Sequence, residues 1–328
     1  MQCNASPFMK NHLLKLLDFM LGPFTLLSAL WLKFVRKNIV GFWTDNSWVS
    51  KKIFYRIGVF PIVDHYYEPL FNPSRLRKPL QNDRNLSGLD LNVSGQLSEL
   101  RGFSFNDEII EISERPSHQL TFSFKQSSFL SGDAEYLYHI VRRHKPSRIV
   151  EIGCGYSTLM IHHAIENNRR EISSYGCEHL CIEPFEVKWL EALPVTVVRD
   201  IVENVDIALF ESLKENDILF IDSSHIVRPQ GDVLMVYLEI LPILNPGVLV
   251  HIHDIFTPKD YLSEWLKKGT VFWNEQYLVE AFLSFNDRFK VVGALNFLKH
   301  HFYAELSEKC PFLSKEREPG SFWIQRVK

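Results

Sequence analysis

Cysteine is scarce in this sequence. The 328 residues include five cysteines, and no two of them form a Cys-x-x-Cys pair: Cys3, Cys154, Cys177, Cys181 and Cys310. A zinc ribbon needs two closely spaced pairs, and a small disulfide scaffold needs a dense, even set, so neither class is predicted. We expect free thiols in a reducing cytoplasm.

The chain also lacks a strong net charge. Lys and Arg number 36 and Asp and Glu number 39, which gives a net charge of −3 at pH 7. This balance argues against nucleic acid as the main partner. Hydrophobic residues make up 46% of the chain, which is a globular composition, and the length allows one large domain or two ordinary ones.

Basic residues are concentrated near the start of the sequence. Residues 1–60 contain eight Lys or Arg and two Asp, a charge of about +6, so the rest of the chain carries about −9 (−3 minus +6). An apolar run at residues 19–32 lies inside this basic segment, and Gly22-Pro23 interrupts it. As a helix the run would span about 21 Å, less than the hydrocarbon core of about 30 Å, so it is a poor transmembrane segment. No small-residue cleavage site follows the run, so it is also a poor signal peptide.

Two interpretations of this basic segment stay open. In the first, the apolar run is a helix buried against the main domain. In the second, residues 10–56 bind an anionic membrane surface, with apolar side chains at the lipid boundary and basic side chains on the head groups.

Three regions are predicted along the chain. Residues 1–71 form an apolar, basic extension that acts as a membrane-surface anchor or a lid. Residues 72–118 are rich in Asn, Ser, Pro and Gly and are predicted to be a loop-rich connector with short strands. Residues 119–328 alternate between strands and helices and form the main domain.

The alternation after residue 119 predicts an α/β fold. Apolar strands are expected at 148–152, 175–182, 195–198, 217–221, 247–252, 289–292 and 321–325. Helices are expected at 158–167, with Ser157 as the N-cap, at 233–244 and at 276–285. Near-continuous apolar strands separated by helices predict a Rossmann-like, seven-stranded, mostly parallel sheet with helices on both faces.

Polar residues collect where these strands end. They are Glu151, Glu183, Asp222, His225, His253 and Asp254. Ligands of open α/β sheets bind beyond the carboxyl ends of the strands, so these residues are the candidates for a binding site.

The loop after the first strand, Gly153-Cys-Gly155, favours a ligand without phosphate. A dinucleotide site has a third glycine where this chain has Thr158. The carboxylate of Glu151 would repel a phosphate but suits an ammonium group, and Glu183 is placed to bind ribose hydroxyls. Ribose plus an amine describes S-adenosylmethionine better than NAD.

Four motifs carry a family resemblance. Val150-Glu-Ile-Gly-Cys-Gly-Tyr-Ser157 resembles motif I of class I S-adenosylmethionine-dependent methyltransferases, and Ile182-Glu183-Pro184 resembles their ribose-binding acidic motif. Phe220-Ile-Asp222-Ser-Ser-His225 and His251-Ile-His-Asp254 resemble the motifs after strands four and five. The resemblance covers about residues 130–328 in the family's order. It is closest to the small-molecule and sugar O-methyltransferases with Asp-x-x-His after strand four.

The resemblance implies a set of cofactor contacts. Glu151 would bind the amino end of the methionine, directly or through water, and Glu183 would bind the ribose. Gly153 and Gly155 would let the backbone approach the cofactor. Ser157, which stands where many members have a third glycine, is expected beside the cofactor, and Asp200 near the adenine.

The chemistry has two candidate arrangements. An alcohol acceptor must lose a proton, and His225, supported by Asp222, is the candidate general base; a structural histidine that caps the loop is the alternative. In the second arrangement Asp222 and Asp254 bind Mg²⁺ or another divalent ion, which orients the acceptor and lowers its pKa. His253 stands where catechol-type members have an acid, which argues against magnesium.

The acceptor is expected to be a small molecule, a sugar or a lipid-linked compound. An N-methyltransferase and a non-catalytic cofactor-binding partner protein are the alternatives. Residues 255–274 form a long connection where a substrate lid is expected, and Phe272-Trp273-Asn274 belong either to the core or to the acceptor pocket. No pattern in the sequence predicts the oligomeric state.

Overall fold

The structure is a computed structural model that describes residues 7–40, 48–116, 120–126, 128–185, 187–268 and 271–328. It divides into two compact units, Met1–Arg77 and Lys78–Lys328. The boundary after Arg77 places residues 78–118 in the same unit as the predicted α/β region.

A long helix dominates the first unit. Helix α1 spans Pro7–Phe34 and continues as the π-helical segment Val35–Val40. The predicted break at Gly22-Pro23 is wrong, because α1 passes through Pro23. A proline removes one backbone hydrogen bond from a helix, and the apolar helix formers on both sides keep the remaining ladder. By length and composition alone, Asn11–Ile39 is long and apolar enough to cross a membrane.

The first unit also contains helix α2, Trp48–Ile57, which carries three basic residues. Apart from the half-buried Leu32, the large apolar side chains of α1 between Leu13 and Phe34 are 43–83% exposed.

The second unit is built on a seven-stranded sheet. Its strands are β1 Arg148–Ile152, β2 Glu178–Ile182, β3 Thr196–Val198, β4 Ile218–Ile221, β5 Leu249–Ile252, β6 Phe289–Ala294 and β7 Phe322–Arg326. They lie in the order β3-β2-β1-β4-β5-β7-β6. The first five are parallel, and β7 is antiparallel to both of its neighbours. The predicted fold class is confirmed.

Helices surround this sheet. They are α3 Val93–Arg101, α4 Asn106–Glu114, α5 Asp133–His144, α6 Tyr156–Glu171, α7 Ala208–Glu211, α8 Asp232–Met235, α9 Leu241–Ile243, α10 Glu275–Leu283, α11 Leu295–His301 and α12 Tyr303–Lys309. A π-helical segment, Val236–Ile240, joins α8 to α9, so the predicted helix at 233–244 is present.

The short strands predicted within residues 72–118 are wrong. The described part of this segment contains α3 and α4 and a 3₁₀ turn at Pro73–Arg75. Ile109 and Ile112, three residues apart, are buried on one face of α4. Helical spacing of a few apolar residues therefore outweighs the polar composition.

The start of α6 also differs from the prediction. Ser157 is not the N-cap, because α6 begins at Tyr156 and Ser157 is its buried second residue. The hydroxyl of Thr158 accepts a hydrogen bond from the backbone N–H of Gly155 (3.2 Å). This contact satisfies a backbone donor at the start of the helix, as capping interactions do.

The core has two layers, one on each face of the sheet. Ile149 and Phe220 pack in one layer with α5 and α6, and Val150 and Leu219 pack in the other. Strands buried on both faces explain the near-continuous apolar runs in the sequence.

Candidate active site

A cleft opens where the strand order reverses, between β1 and β4. In open α/β sheets this reversal separates two loops and leaves a crevice that binds ligands. The cleft has a volume of about 360 Å³. It is lined by Ile152, Gly153, Ile182, Glu183, Pro184, Phe185, Ile201, Val202, Glu203, Asp222, Ser223, Ser224, Arg228 and Asp232.

The two glycines of the first loop have different roles. Gly153 has φ +82°, and a Cβ there would lie 1.9 Å from the backbone oxygen of Asp222, so only glycine fits. Gly155 is extended, and a Cβ there would have no atom within 4 Å. Gly153 thus brings β1 against β4, and Gly155 leaves open space before α6.

Glu183 lies at the carboxyl end of β2 and lines the cleft. Its Oε2 accepts a hydrogen bond from Cys154 N (3.0 Å), and its Oε1 accepts one from Phe185 N (2.9 Å). These two bonds fix the carboxylate between the first loop and the residues that follow β2. Each oxygen keeps a second lone pair, which is what a pair of hydroxyl groups requires.

Glu151 lies behind the first loop, outside the residues that line the cleft. It is fully buried, its Oε2 accepts a hydrogen bond from the Thr158 hydroxyl, and the same oxygen lies 3.3 Å from His179 Nε2. Burial alone would lower the pKa of His179, but hydrogen bonds to Cys181 and Glu151 raise it to about 10. Among the described residues, Oε1 of Glu151 has no hydrogen-bond partner.

Two further predicted cofactor residues lie near the cleft but do not line it. The exposed carboxylate of Asp200 accepts hydrogen bonds from Ile201 N and Asn204 Nδ2, both at 2.8 Å. Ile201, rather than Asp200, is the lining residue, and Ser157 is buried inside α6.

A second polar group lies beyond the ends of β4 and β5. His225 Nδ1 is 2.8 Å from Glu275 Oε2. Its Nε2 is 3.2 Å from Asp222 Oδ1 and 3.7 Å from Asp254 Oδ2. The sheet thus brings the three predicted residues together, and Glu275 holds the far side of the imidazole.

The carboxylates set the protonation of this group. Burial alone would lower the pKa of His225, but its hydrogen bonds to Asp222 and Glu275 raise it well above the usual value. Burial alone would raise the pKa of Asp222, but the charge of His253 and the hydrogen bond from His225 lower it to about 2. Burial raises the pKa of Asp254. The arrangement can therefore accept, hold and share a proton.

The same group has a donor set that fits a divalent cation. One ligand atom each from Asp222, His225 and Asp254 lie within 4.8 Å of one another. Glu275 would orient the imidazole from behind, as carboxylates do for histidine ligands of metals. His253 Nε2 lies 3.6 Å from Asp254 Oδ1.

Sequence reasoning missed Glu275, which lies 50 residues after His225. Asn274 and Glu275 both donate backbone hydrogen bonds to the His225 oxygen (3.1 and 3.2 Å), and Asn274 Oδ1 accepts one from Val227 N (2.6 Å). The 255–274 connection is therefore fastened to the loop that carries His225. No local pattern marks this pairing.

Trp273 contacts both a small core and His225. It packs with Phe256, Tyr261 and Trp265 in a small core built by the connection. Its ring also lies 4.4 Å from the His225 ring, centroid to centroid. Trp273 thus presents an aromatic surface beside the imidazole of His225.

Comparison with known proteins found similarity in the segment that forms this site. Residues 150–255 match a family model described as a methyltransferase domain. An uncharacterized protein of Archaeoglobus fulgidus is 28% identical over 171 residues, which cover 48% of this chain and 75% of the relative.

Two solved structures are similar over most of their own length. The O-methyltransferase from Bacillus cereus, in complex with SAH, has a TM-score of 0.37 and 15% identity and covers 70% of this chain and all of its own. The plantazolicin methyltransferase BpumL, in complex with SAH, has a TM-score of 0.35 and 13% identity and covers 73% of this chain and 96% of its own. Residues 150–255 are similar to a methyltransferase domain, and their motifs resemble those of class I S-adenosylmethionine-dependent methyltransferases.

Proposed function

We propose that the enzyme transfers the methyl group of S-adenosylmethionine to a hydroxyl group of a small molecule, a sugar or a lipid-linked compound. The observation that carries the proposal is the position of His225 and Asp222, which lie where β4 ends. They lie beside a cleft whose lining residues all belong to the segment that matches a methyltransferase family model. Asp222 belongs to both the cleft and the polar group.

In this proposal the cleft binds the cofactor. Glu183 accepts hydrogen bonds from the ribose hydroxyls, and Gly153 and Gly155 let the loop approach the methionine end. Glu151 attracts the ammonium group through water, for which its unpartnered oxygen supplies an acceptor. Ser157 and Asp200 support the loops on either side of the site.

The protein contributes mainly positioning to the reaction. The sulfonium is already a strong electrophile, and placing an acceptor in line with it contributes about 7–11 kcal/mol. His225 Nε2 accepts the hydroxyl proton and shares it with Asp222, while Glu275 keeps the imidazole oriented. Because these carboxylates raise the pKa of His225, the rate is expected to rise with pH beyond the ordinary histidine range.

A divalent ion at Asp222 and Asp254 is the second candidate arrangement, and the distances among the ligand atoms favour it. His225 would then be the third ligand. A bound ion would supply Lewis acidity that lowers the pKa of the acceptor hydroxyl. An imidazole in the set suits manganese or zinc better than magnesium.

The substitution His225→Gln tests the base. It should leave S-adenosylmethionine binding intact and lower methyl transfer to alcohol acceptors about 10²–10⁴-fold. His300→Gln, a partly exposed histidine paired with Glu318 at 2.8 Å, is the matched control. Full turnover by the His225 variant would refute the base, and turnover only with amine acceptors would identify an N-methyltransferase. Loss of activity on chelation, restored by manganese, would support the metal arrangement.

We also propose that residues 10–56 attach this cytoplasmic enzyme to an anionic membrane. Most of the large apolar side chains of α1 from Leu13 to Phe34 are exposed, and the following residues are rich in Lys and Arg. Burial of apolar surface in lipid and attraction to anionic head groups act together in such segments. This location would suit a lipid-linked acceptor.

Vesicle flotation tests the membrane proposal. The full chain should float with vesicles that contain phosphatidylserine, and the double variant Lys51→Glu/Lys52→Glu should float less at physiological salt. Lys214→Glu/Glu215→Lys, a charge-neutral exchange in the second unit, is the control. Equal flotation of all proteins with neutral vesicles would show that α1 acts by apolar insertion alone, and no flotation would refute membrane attachment.

A further inference from the structure

Two thiols, an imidazole and a carboxylate meet behind the first loop. We call Glu151, Cys154, His179 and Cys181 the thiol cluster. It shares no residue with the group formed by His225, Asp222, Asp254 and Glu275. Its only part in the proposed chemistry is the contact of Glu151 with the cofactor's amine. Glu151 and Cys181 are fully buried, His179 is 4% exposed, and Cys154 is half-buried.

The sheet register creates this cluster. Glu151 of β1 pairs with Cys181 of β2, so the two side chains point to the same face. His179 lies two residues before Cys181 and therefore faces the same side. Cys154 follows β1 by two residues and turns back over the strand end. The spacing of Cys177 and Cys181 in the sequence predicted no metal site. The thiol that lies near Cys181 is Cys154 of the first loop, and no local spacing marks this pair.

Three distances between ligand atoms of the thiol cluster are close to those of a tetrahedral metal site. Glu151 Oε2 lies 3.3 Å from His179 Nε2 and 3.7 Å from Cys181 Sγ, and these last two atoms are 3.9 Å apart. The ligand atoms of Glu151, Cys154 and Cys181 lie within 4.8 Å of one another. Ligands at about 2.0–2.3 Å from zinc and at tetrahedral angles lie about 3.3–3.8 Å from one another.

Two buried polar atoms of the cluster have no partner among the described residues. They are Oε1 of Glu151 and Nδ1 of His179. Neither is the atom of its residue that faces the thiols, which is Oε2 in Glu151 and Nε2 in His179. Both orphaned atoms therefore stay available to outer partners such as water when Oε2 and Nε2 bind an ion.

We propose that the thiol cluster binds one zinc ion. Cys154 and Cys181 would bind as thiolates, His179 through Nε2 and Glu151 through one carboxylate oxygen. On binding, the two thiols release their protons to solvent, and His179 releases the proton on Nε2 so that this nitrogen can bind the ion. Sulfur ligands select zinc over magnesium and calcium, which prefer all-oxygen sites. The site does not depend on which acceptor the enzyme methylates.

Zinc at this place would fasten the first loop. Cys154 lies between Gly153 and Gly155, and its backbone N–H donates to Glu183. An ion shared by the loop and β2 would hold that N–H and the Glu183 carboxylate in register, while Oε1 of Glu151 would stay available to the water proposed beside the cofactor's amine.

Cobalt titration of the zinc-free, reduced full chain tests the proposal, because Co²⁺ reports thiolate ligation directly by absorption. The wild type should bind one equivalent and show visible bands of a tetrahedral ion together with a near-ultraviolet thiolate-to-cobalt band. Zinc should then displace the cobalt. Cys181→Ser and Cys154→Ser should each lose about half of the thiolate band and bind at least about tenfold more weakly.

Two controls separate this site from other causes. Cys177→Ser removes a thiol outside the cluster and should leave the spectrum unchanged. Asp254→Asn removes a ligand of the other candidate cation site and should also leave it unchanged. Circular dichroism of each variant checks that it is folded. An absent thiolate band in the wild type, or a band of full wild-type intensity in folded Cys154→Ser or Cys181→Ser, would overturn the proposal.

Discussion

Replacing Gly153 with alanine should destabilise the second unit strongly. The added Cβ would lie 1.9 Å from the Asp222 backbone oxygen, about half of an ordinary contact distance. A left-handed φ of +82° costs a non-glycine residue about 1–2 kcal/mol. Forcing β1 and β4 apart to relieve the clash costs about 1–3 kcal/mol more. We therefore expect Gly153→Ala to lower the free energy of unfolding by about 2–5 kcal/mol.

Gly155→Ala is the matched control, because it adds the same methyl group in the same loop. Its Cβ would have no atom within 4 Å and its φ is extended, so the change in stability should stay within about 1 kcal/mol. The methyl group would nevertheless occupy space proposed for the methionine end and weaken S-adenosylmethionine binding. Urea unfolding by fluorescence measures the first effect and calorimetry the second. Equal stability of the two variants would refute the role assigned to Gly153.

Three further predictions follow from the geometry. Burial lowers the pKa of His139 to about 4, below its unfolded value of about 6.5, so the free energy of unfolding should fall by up to about 3 kcal/mol as the pH drops from 6.5 to 4. Urea unfolding of His139→Gln should show a flatter pH dependence. An unchanged slope in this variant would contradict the prediction. Glu275→Gln removes a hydrogen bond that raises the pKa of His225, so the alkaline rise in kcat should move to lower pH; an unmoved profile would argue against His225 as the base. Trp273→Ala should raise KM for the acceptor and leave the affinity for S-adenosylmethionine unchanged, whereas a loss of cofactor affinity would place the acceptor elsewhere.

The sheet could be predicted because the residue patterns of its strands are local in the sequence. Strands buried on both faces must be apolar throughout, and polar residues at their ends mark the binding edge. This is why 148–152 and 217–221 were identified together with Glu151 and Asp222. Helices α3 and α4 were missed because long-range contacts hold them. Gln96, for example, accepts a hydrogen bond from Ala294 N, 198 residues away (2.7 Å).

The candidate site was predictable only in part for the same reason. Motif positions placed Glu183 in the cleft and brought His225 beside Asp222. The partner of His225 across the site, Glu275, comes from a helix that no local pattern links to it. The opposite error concerns Pro23, where a local rule predicted a break that α1 does not have.

Calorimetric titration with S-adenosylmethionine, S-adenosylhomocysteine and NADH tests the central claim most directly. The wild type should bind both sulfur compounds with micromolar affinity and should not bind NADH. Glu183→Ala should abolish this binding, whereas Glu191→Gln, on an exposed carboxylate, should retain it. Failure of the full chain to bind either sulfur compound, with or without anionic vesicles, or binding of NADH in their place, would contradict the account.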